Sequence, residues 1–294
     1  MNIMTANMPY TAVDHDTWRR FFQAIEHTWA KYGKLIHPFY MDHVEVLRRF
    51  RERIPSLAEI NDLLATIGWT AIYVDGLAPP WEIAKWLDRR VMPVSRSIRS
   101  PQEVHFANGP DLIHDYFGHL PLLFSKEFRS LLSQWTAAAS RVPVTETDQV
   151  NFHLNKLVVQ SQDKVSDAAM GQLQLAQSGL NQFIAQHPSP SLIFDKVYFW
   201  IFEFGILERM GQKLILGAGL LSSLSEIEKI ALQPVKTATL DMASVLSSYN
   251  ISALQDGYLV APDLQHYKSL INRMIAGVVS AESAHVGNKL YAHA

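Results

Sequence analysis

The run VYFWIFEFGIL, from Val197 to Leu207, is the oiliest stretch of the chain, and it carries one carboxylate, Glu203. It is about half the roughly 20 apolar residues needed to cross a bilayer, so it has to be buried in protein. An ionised carboxylate buried alone is very costly, and Glu203 must therefore be paired, bound to a metal or held neutral. Any fold the chain adopts has to bring a partner to this position. The chain can build the core this requires: it has 294 residues, of which 48% are hydrophobic and 18% charged, enough for one large domain or two small ones.

Charge and cysteine content narrow the chemistry. Twenty-six basic against 28 acidic side chains leave a formal charge of -2, which gives no pull towards nucleic acid or an anionic membrane. With no cysteine there are no disulfides, thiolate ligands or cysteine nucleophile, so any metal must sit on His, Asp or Glu. The N-terminal MNIMTANMPYTAVDHD lacks a basic flank followed by an apolar run and does not read as a signal peptide. The expected location is cytoplasmic.

Helical signals dominate the chain. Asp14 is read as the cap of a first helix through about Lys31, and SLAE at 56–59 is a capping box opening a segment that ends near Gly68. TAIYV at 70–74 alternates like a strand, Gly76 marks a turn, and Pro79 and Pro80 open a short helix through Arg89. VSRSIR at 94–99 is read as extended, Ser125 as the cap of a helix through about Ser140, and Pro190 and Ser191 as preceding a helix that reaches Tyr198. YLVA at 258–261 reads as a strand and Pro262 as the start of a final helix; such strands are too few for a doubly wound sheet. Residues 143–190 are richer in Gln, Ser, Asn and Asp, with Leu173, Leu175, Leu180, Phe183 and Ile184 among them, and predict two amphipathic helices laid over the main body. They form either a plain surface insertion or an active-site lid.

DLIHDYFGHLPLL, residues 111–123, places two histidines, two aspartates and a glycine in another oily segment. His114 and His119 are five positions apart, which on a regular helix leaves them about 140° apart around the axis. Gly118 and Pro121 can stop a helix here, and an unwound last turn would swing His119 beside His114. A zinc-protease H-E-x-x-H pattern does not fit, because Asp115 follows the first histidine and the spacing is one residue longer. Two imidazoles and Glu203, with no thiolate, match the facial triad of non-haem Fe(II) oxygenases. A structural histidine pair with Glu203 bridged to an arginine is the alternative.

PDLIHDYFGHLPLL, VYFWIFEFG and LGAGLLSSLSE, in this order, resemble the signature segments of the pterin-dependent aromatic amino acid hydroxylases. The likeness extends through IPSLAEINDLL, DGLAPPWEIAKWL and SIRSP upstream and YNISALQDGYLVAPDL downstream, covering about residue 10 to residue 275. It implies a mainly α fold with small β strands, the family's helical basket around an iron site, and a monooxygenase that uses O2 and tetrahydrobiopterin or a related tetrahydropterin. Carried over position by position, it implies that His114, His119 and Glu203 bind Fe(II). Arg99 in SIRSP matches the arginine that grips the substrate carboxylate, a task suited to a planar guanidinium, the alternative being an ordinary surface ion pair. Ser222 matches a substrate-side hydrogen bonder, and Phe199 and Phe204 match aromatic positions around the substrate ring. Leu77, Asp115 and Tyr198 match positions on the pterin side. GAGLLSS lacks the strand-turn-helix context of a phosphate loop.

The chain departs from the family pattern at several points. The separation of His119 and Glu203 is roughly double the usual one, and the extra length is the Gln-rich stretch at 143–190. Where an aromatic ring stacks on the pterin, the alignment offers Ile83, with Trp81 as a substitute. Gly109 stands before the Pro-Asp pair where an acid is usual. Tyr198-Phe199 resembles the tryptophan hydroxylases, which sets tryptophan beside phenylalanine as substrate. The expectation is a single catalytic domain over 1–294 with a helical insertion at 143–190, monomeric, binding an aromatic amino acid and O2. A pterin-free oxygenase for another aromatic compound and a silent metal-binding module are the rival readings.

Overall fold

The computed structural model describes residues 10–107, 109–161, 164–251 and 253–291. Most of the N-terminal stretch read above as lacking a signal peptide therefore lies outside the described residues. Among the described residues no helix is long and apolar enough to cross a membrane.

The first helix, Ala12–Tyr32, starts one turn earlier than the sequence suggested. Thr11 is its cap: its Oγ1 accepts from the Asp14 amide at 3.2 Å while Asp14 Oδ2 accepts from the Thr11 amide at 2.7 Å. Asp14 closes the capping box, so the acid was seen but its partner was not. The apolar face of this helix buries Trp18, Phe21, Phe22, Ile25 and Trp29. The SLAE box holds as read, with Ser56 capping Leu57–Ala65 and Glu59 reaching back to the cap. Gly68, at φ 71°, then turns the chain.

Strand β1, Thr70–Val74, pairs in parallel with β2, Val91–Ser95, across the helix Pro80–Asp88. The extended segment thus begins before Val94 and ends before Arg99. Pro93 inside it is tolerated because β2 has a single neighbour and needs no second ladder. Strands β3 (Ile206–Arg209), β4 (Gln212–Ile215), β5 (Thr237–Thr239) and β6 (Tyr258–Ala261) form a second sheet in the order β4-β3-β6-β5. The last helix starts at Leu264 rather than Pro262.

Ser125 caps Lys126–Ala139 and Ser189 caps Pro190–Tyr198, both by accepting the amide three residues on. Residues 143–190 contain two helices, Glu146–Ser161 and Asp167–Gln186. The second buries only Ile184, while Leu175 is 75% exposed and Phe183 51%. The amphipathic pattern foreseen for it therefore buries one side chain, near its C-terminal end.

Candidate active site

The two histidines meet, but not by the route expected. Residues His114–His119 form a π-helical turn, and the Leu120 amide donates to the Asp115 carbonyl at 3.3 Å. An i→i+5 ladder widens the turn so that residues five apart lie side by side, which brings His119 next to His114. The turn is expanded, not unwound. Gly118 does not stop it either: a Cβ there would lie 2.5 Å from the Ala218 carbonyl oxygen, so glycine is needed for the close approach of the helix Ala218–Leu221. Pro121 begins a 3-10 turn, Pro121–Phe124, at the position where its missing N–H does no harm.

The apolar side chains of the motif hold the wide turn in place. Phe117 packs against Trp18, Phe21 and Phe22 at ring separations of 4.9, 4.7 and 5.1 Å, and Tyr116 meets Trp18 edge-on at 6.1 Å. A second π turn, Phe199–Glu203, ends the helix Pro190–Tyr198, with the Phe204 amide donating to the Phe199 carbonyl at 2.8 Å. Gly217 and Gly219 let the chain lie flat on it: a Cβ at Gly217 would be 2.3 Å from the Glu203 carbonyl oxygen. GAGLLSS is thus a close-packing device.

Three ligand-type atoms converge between the two turns. His114 Nε2 lies 3.2 Å from His119 Nε2 and 3.5 Å from Glu203 Oε2, and His119 Nε2 lies 3.1 Å from Glu203 Oε1. Neighbouring corners of an octahedron with bonds of about 2.1 Å are about 3 Å apart, so the cluster has the size of a facial triad. The tautomer also fits. Ser222 Oγ donates to the Ala218 carbonyl at 2.9 Å and so accepts from His114 Nδ1, also at 2.9 Å, which leaves the His114 Nε2 lone pair facing the cluster. Three facing acceptors suit a bound cation better than a proton, which can bridge only one pair of them.

The electrostatics agree. Burial works against charge on the Glu203 carboxyl, yet the facing imidazoles, with a hydrogen bond from Tyr198, bring its pKa down to about 2. Burial also opposes charge on His119, but the Glu203 carboxylate outweighs it and raises the pKa. Asp115 could also reach an ion, its ligand atom lying within 4.8 Å of those of the two histidines. However, its Oδ2 accepts from the Ser95 amide at 2.6 Å, and burial raises its pKa. It is fastened to the end of β2, which leaves Glu203 the better third ligand.

Arg99 is buried, and Asp111 occupies one edge of its guanidinium, with Nη2–Oδ1 at 2.9 Å and Nε–Oδ2 at 3.0 Å. Its Nη1 points to the Ser222 carbonyl at 3.4 Å, so the arginine stands beside the residue that orients His114. The surface ion pair offered as the alternative is in fact a buried one. Phe199 stacks on Tyr249 at 4.3 Å and 22°, and Phe204 lies 6.1 Å from Phe199 at 26°. Tyr198 packs on Trp135 at 4.9 Å. Leu77 is half-buried in the turn after β1, and β1 pairs Val74 with Ser95, the residue bonded to Asp115.

The sequence profile described as biopterin-dependent aromatic amino acid hydroxylase matches residues 3–154 and 185–281, well over half the chain. The chain belongs to this family. Among its relatives, the phenylalanine-4-hydroxylase of Pseudomonas aeruginosa is 28% identical over 242 residues, covering 82% of this chain and 76% of that protein. The phenylalanine 3-hydroxylase of Streptomyces coeruleorubidus is 25% identical over 248 residues, covering 84% and 72%. The cold-active phenylalanine hydroxylase of Colwellia psychrerythraea superposes with a TM-score of 0.68 at 20% identity, covering 95% of this chain and 91% of that one. The mainly helical basket with small sheets is therefore this hydroxylase family's catalytic-domain fold.

Two residues of this family member escaped the sequence reading. Asp111 was read only as part of a Pro-Asp pair, although an acid three residues before a histidine in an oily segment could have been matched to the nearby arginine. Tyr249 carried no local signal, because its place on Phe199 is set by the packing of distant segments. Trp81, offered as a stand-in for Ile83, meets Phe152 edge-on at 5.5 Å.

Proposed function

We propose that the protein hydroxylates the ring of an aromatic L-amino acid, phenylalanine or tryptophan, with His114, His119 and Glu203 holding Fe(II) and a tetrahydropterin lying on the Asp115 and Leu77 side. The observation that carries this is the convergence of two Nε2 atoms and one carboxylate at octahedral spacing beside an aromatic stack. A relative from Chromobacterium violaceum, 22% identical with a TM-score of 0.67 and coverage of 94% and 84%, has been solved with iron(III) and 7,8-dihydrobiopterin bound. When bound here, iron and a reduced pterin would supply the O2-activating chemistry, with the face of the triad away from the protein ligands left open.

The chain's own residues define the rest of the reaction. Asp111 fixes the Arg99 guanidinium and its Nη1 points to the Ser222 carbonyl, which holds beside the triad the arginine proposed to meet the substrate carboxylate. Ser222 holds the His114 tautomer, and Tyr198 supports the charged form of Glu203. Phe199, Phe204 and Tyr249 form an apolar wall that receives a flat ring and excludes water. Asp115, tied to β2, and Leu77, in the turn after β1, border the proposed pterin side. Residues 143–190 are proposed as a helical insertion into a single catalytic domain, in keeping with the profile's passing over 155–184.

Oxygen uptake by anaerobically iron-loaded protein, measured with and without tetrahydrobiopterin on phenylalanine, tryptophan and tyrosine, tests the proposal. Ring-hydroxylated product formed in step with pterin oxidation is expected for phenylalanine or tryptophan, with mass and NMR analysis locating the new hydroxyl. Uptake indifferent to both pterin and amino acid would refute it.

A further inference from the structure

The family profile passes over residues 155–184, which take in the end of the helix Glu146–Ser161 and most of the helix Asp167–Gln186. Their base is closed, since Ser189 Oγ donates to Asp148 Oδ1 at 2.5 Å, and Asp148 also completes a capping box with Thr145. Across the pair, Gln177 Nε2 donates to Asn155 Oδ1 at 2.8 Å. The second helix buries a single side chain, so its contribution is to back the first.

The first helix grips one particular turn of the body. Phe152 is buried with its ring edge-on to Trp81 at 5.5 Å. Lys156, one helical turn further on and on the same face, extends its ammonium to the Leu77 carbonyl oxygen at 3.5 Å and lies 5.9 Å from the Phe152 ring. The connection between β1 and the helix Pro80–Asp88 is therefore held at its middle, at Leu77, and just beyond it, at Trp81 in the first turn of the helix. Ahead of Leu77 the chain is exposed at Asp75 and Gly76, with Gly76 at φ 66° and Asp75 Oδ1 paired to Arg96 Nε at 3.1 Å.

We infer that Phe152 and Lys156 are positioning residues for the cofactor: the helical pair clamps the Leu77–Trp81 turn and so sets how tightly a reduced pterin is held. This rests on the proposed placement of the pterin beside Leu77. Ile83 offers no aromatic face for stacking on a flat bicyclic ring. A turn already ordered before binding loses less conformational freedom when the ligand arrives, which compensates for the weaker contact.

The test uses the full-length, iron-loaded chain with tetrahydrobiopterin as the probe. Lys156→Met, which keeps the apolar stem, and Phe152→Ala should each raise the pterin Kd and KM by about three- to tenfold. The KM for the amino acid and kcat at saturating pterin should stay within about twofold, and Lys156→Arg should restore pterin affinity. Independently of any cofactor, hydrogen exchange at the Gly76, Leu77 and Ala78 amides should speed up in both variants. Wild-type pterin affinity in both variants, or unchanged exchange in the turn, overturns the clamp. Failure of the wild-type protein to bind tetrahydrobiopterin would overturn the cofactor placement and this role with it. The exchange rates would still report the clamp, which keeps the two failures distinct.

Discussion

His114 Nδ1 lies 2.9 Å from Ser222 Oγ, and that hydroxyl gives its own proton to the Ala218 carbonyl. Because this fixes which imidazole nitrogen is free, Ser222→Ala should weaken iron binding by about ten- to a hundredfold while leaving the fold intact. Chelator competition measures this directly. An unchanged iron affinity would show that the hydroxyl only fills space.

Metal uptake should release protons in a pH-dependent way. The raised pKa of His119 means that the metal-free protein carries a proton there at pH values where an ordinary histidine has begun to lose it. A metal ligand must be neutral, so proton release should grow as pH falls towards the ordinary histidine range and fade as pH rises past the raised value. Calorimetry in two buffers of different ionisation enthalpy reads the number released. In Glu203→Gln the two contributions of the carboxylate are lost and burial is opposed only by the smaller effect of Asp115, so the His119 pKa should drop, as an NMR titration of the imidazole would show.

Two glycine replacements should act in opposite directions. Gly217→Ala forces a Cβ to 2.3 Å from the Glu203 carbonyl oxygen, a backbone atom that cannot step aside, and should lower stability by at least about 2 kcal/mol. Gly171 sits inside the exposed helix Asp167–Gln186 with nothing within 4 Å of its added Cβ, and Gly171→Ala should gain about 0.5–1 kcal/mol. Thermal melts of the two variants decide this, and equal shifts would contradict the close packing seen at Gly217.

Removing Asp111 should be more damaging than removing its whole pair. Asp111→Ala leaves the buried Arg99 guanidinium without its carboxylate, at an expected loss of about 3–5 kcal/mol. The double variant Asp111→Ala/Arg99→Met should recover a large part of that loss in denaturant titrations. No recovery would mean that the pair is not the main interaction of either residue.

What could be read from the sequence was what is decided locally. Ser56 and Ser125 announce helix starts because a cap depends on residues three apart, whereas Ser189, the cap of Pro190–Tyr198, was missed in favour of Pro190 and Ser191, which lie inside the helix. The pairing of Glu203 with two histidines was legible because a lone buried carboxylate demands a partner. The means of bringing His119 round was not, because a π turn has no signature of its own and persists here through the packing of Phe117 against Trp18, Phe21 and Phe22. Thr11 was passed over because Asp14 is also a good cap, and only the backbone shows which one begins the helix. Tyr249 and the contact of Phe152 with Trp81 depend on segments far apart in the chain, where residue type alone carries no information.

Each of the two expanded turns is equivalent to one ordinary turn with a single residue added. Taking out one residue between the two histidines would still leave them neighbours, at the i, i+4 spacing of a common helix face. What would change is the phase of everything downstream: Leu120, Leu122 and Leu123, all buried, would rotate by about 100° away from the cavities they fill. The extra residue thus lets a single segment point one side of itself at an ion and then re-aim its oily side chains, so that chemistry and core need not share one helical period.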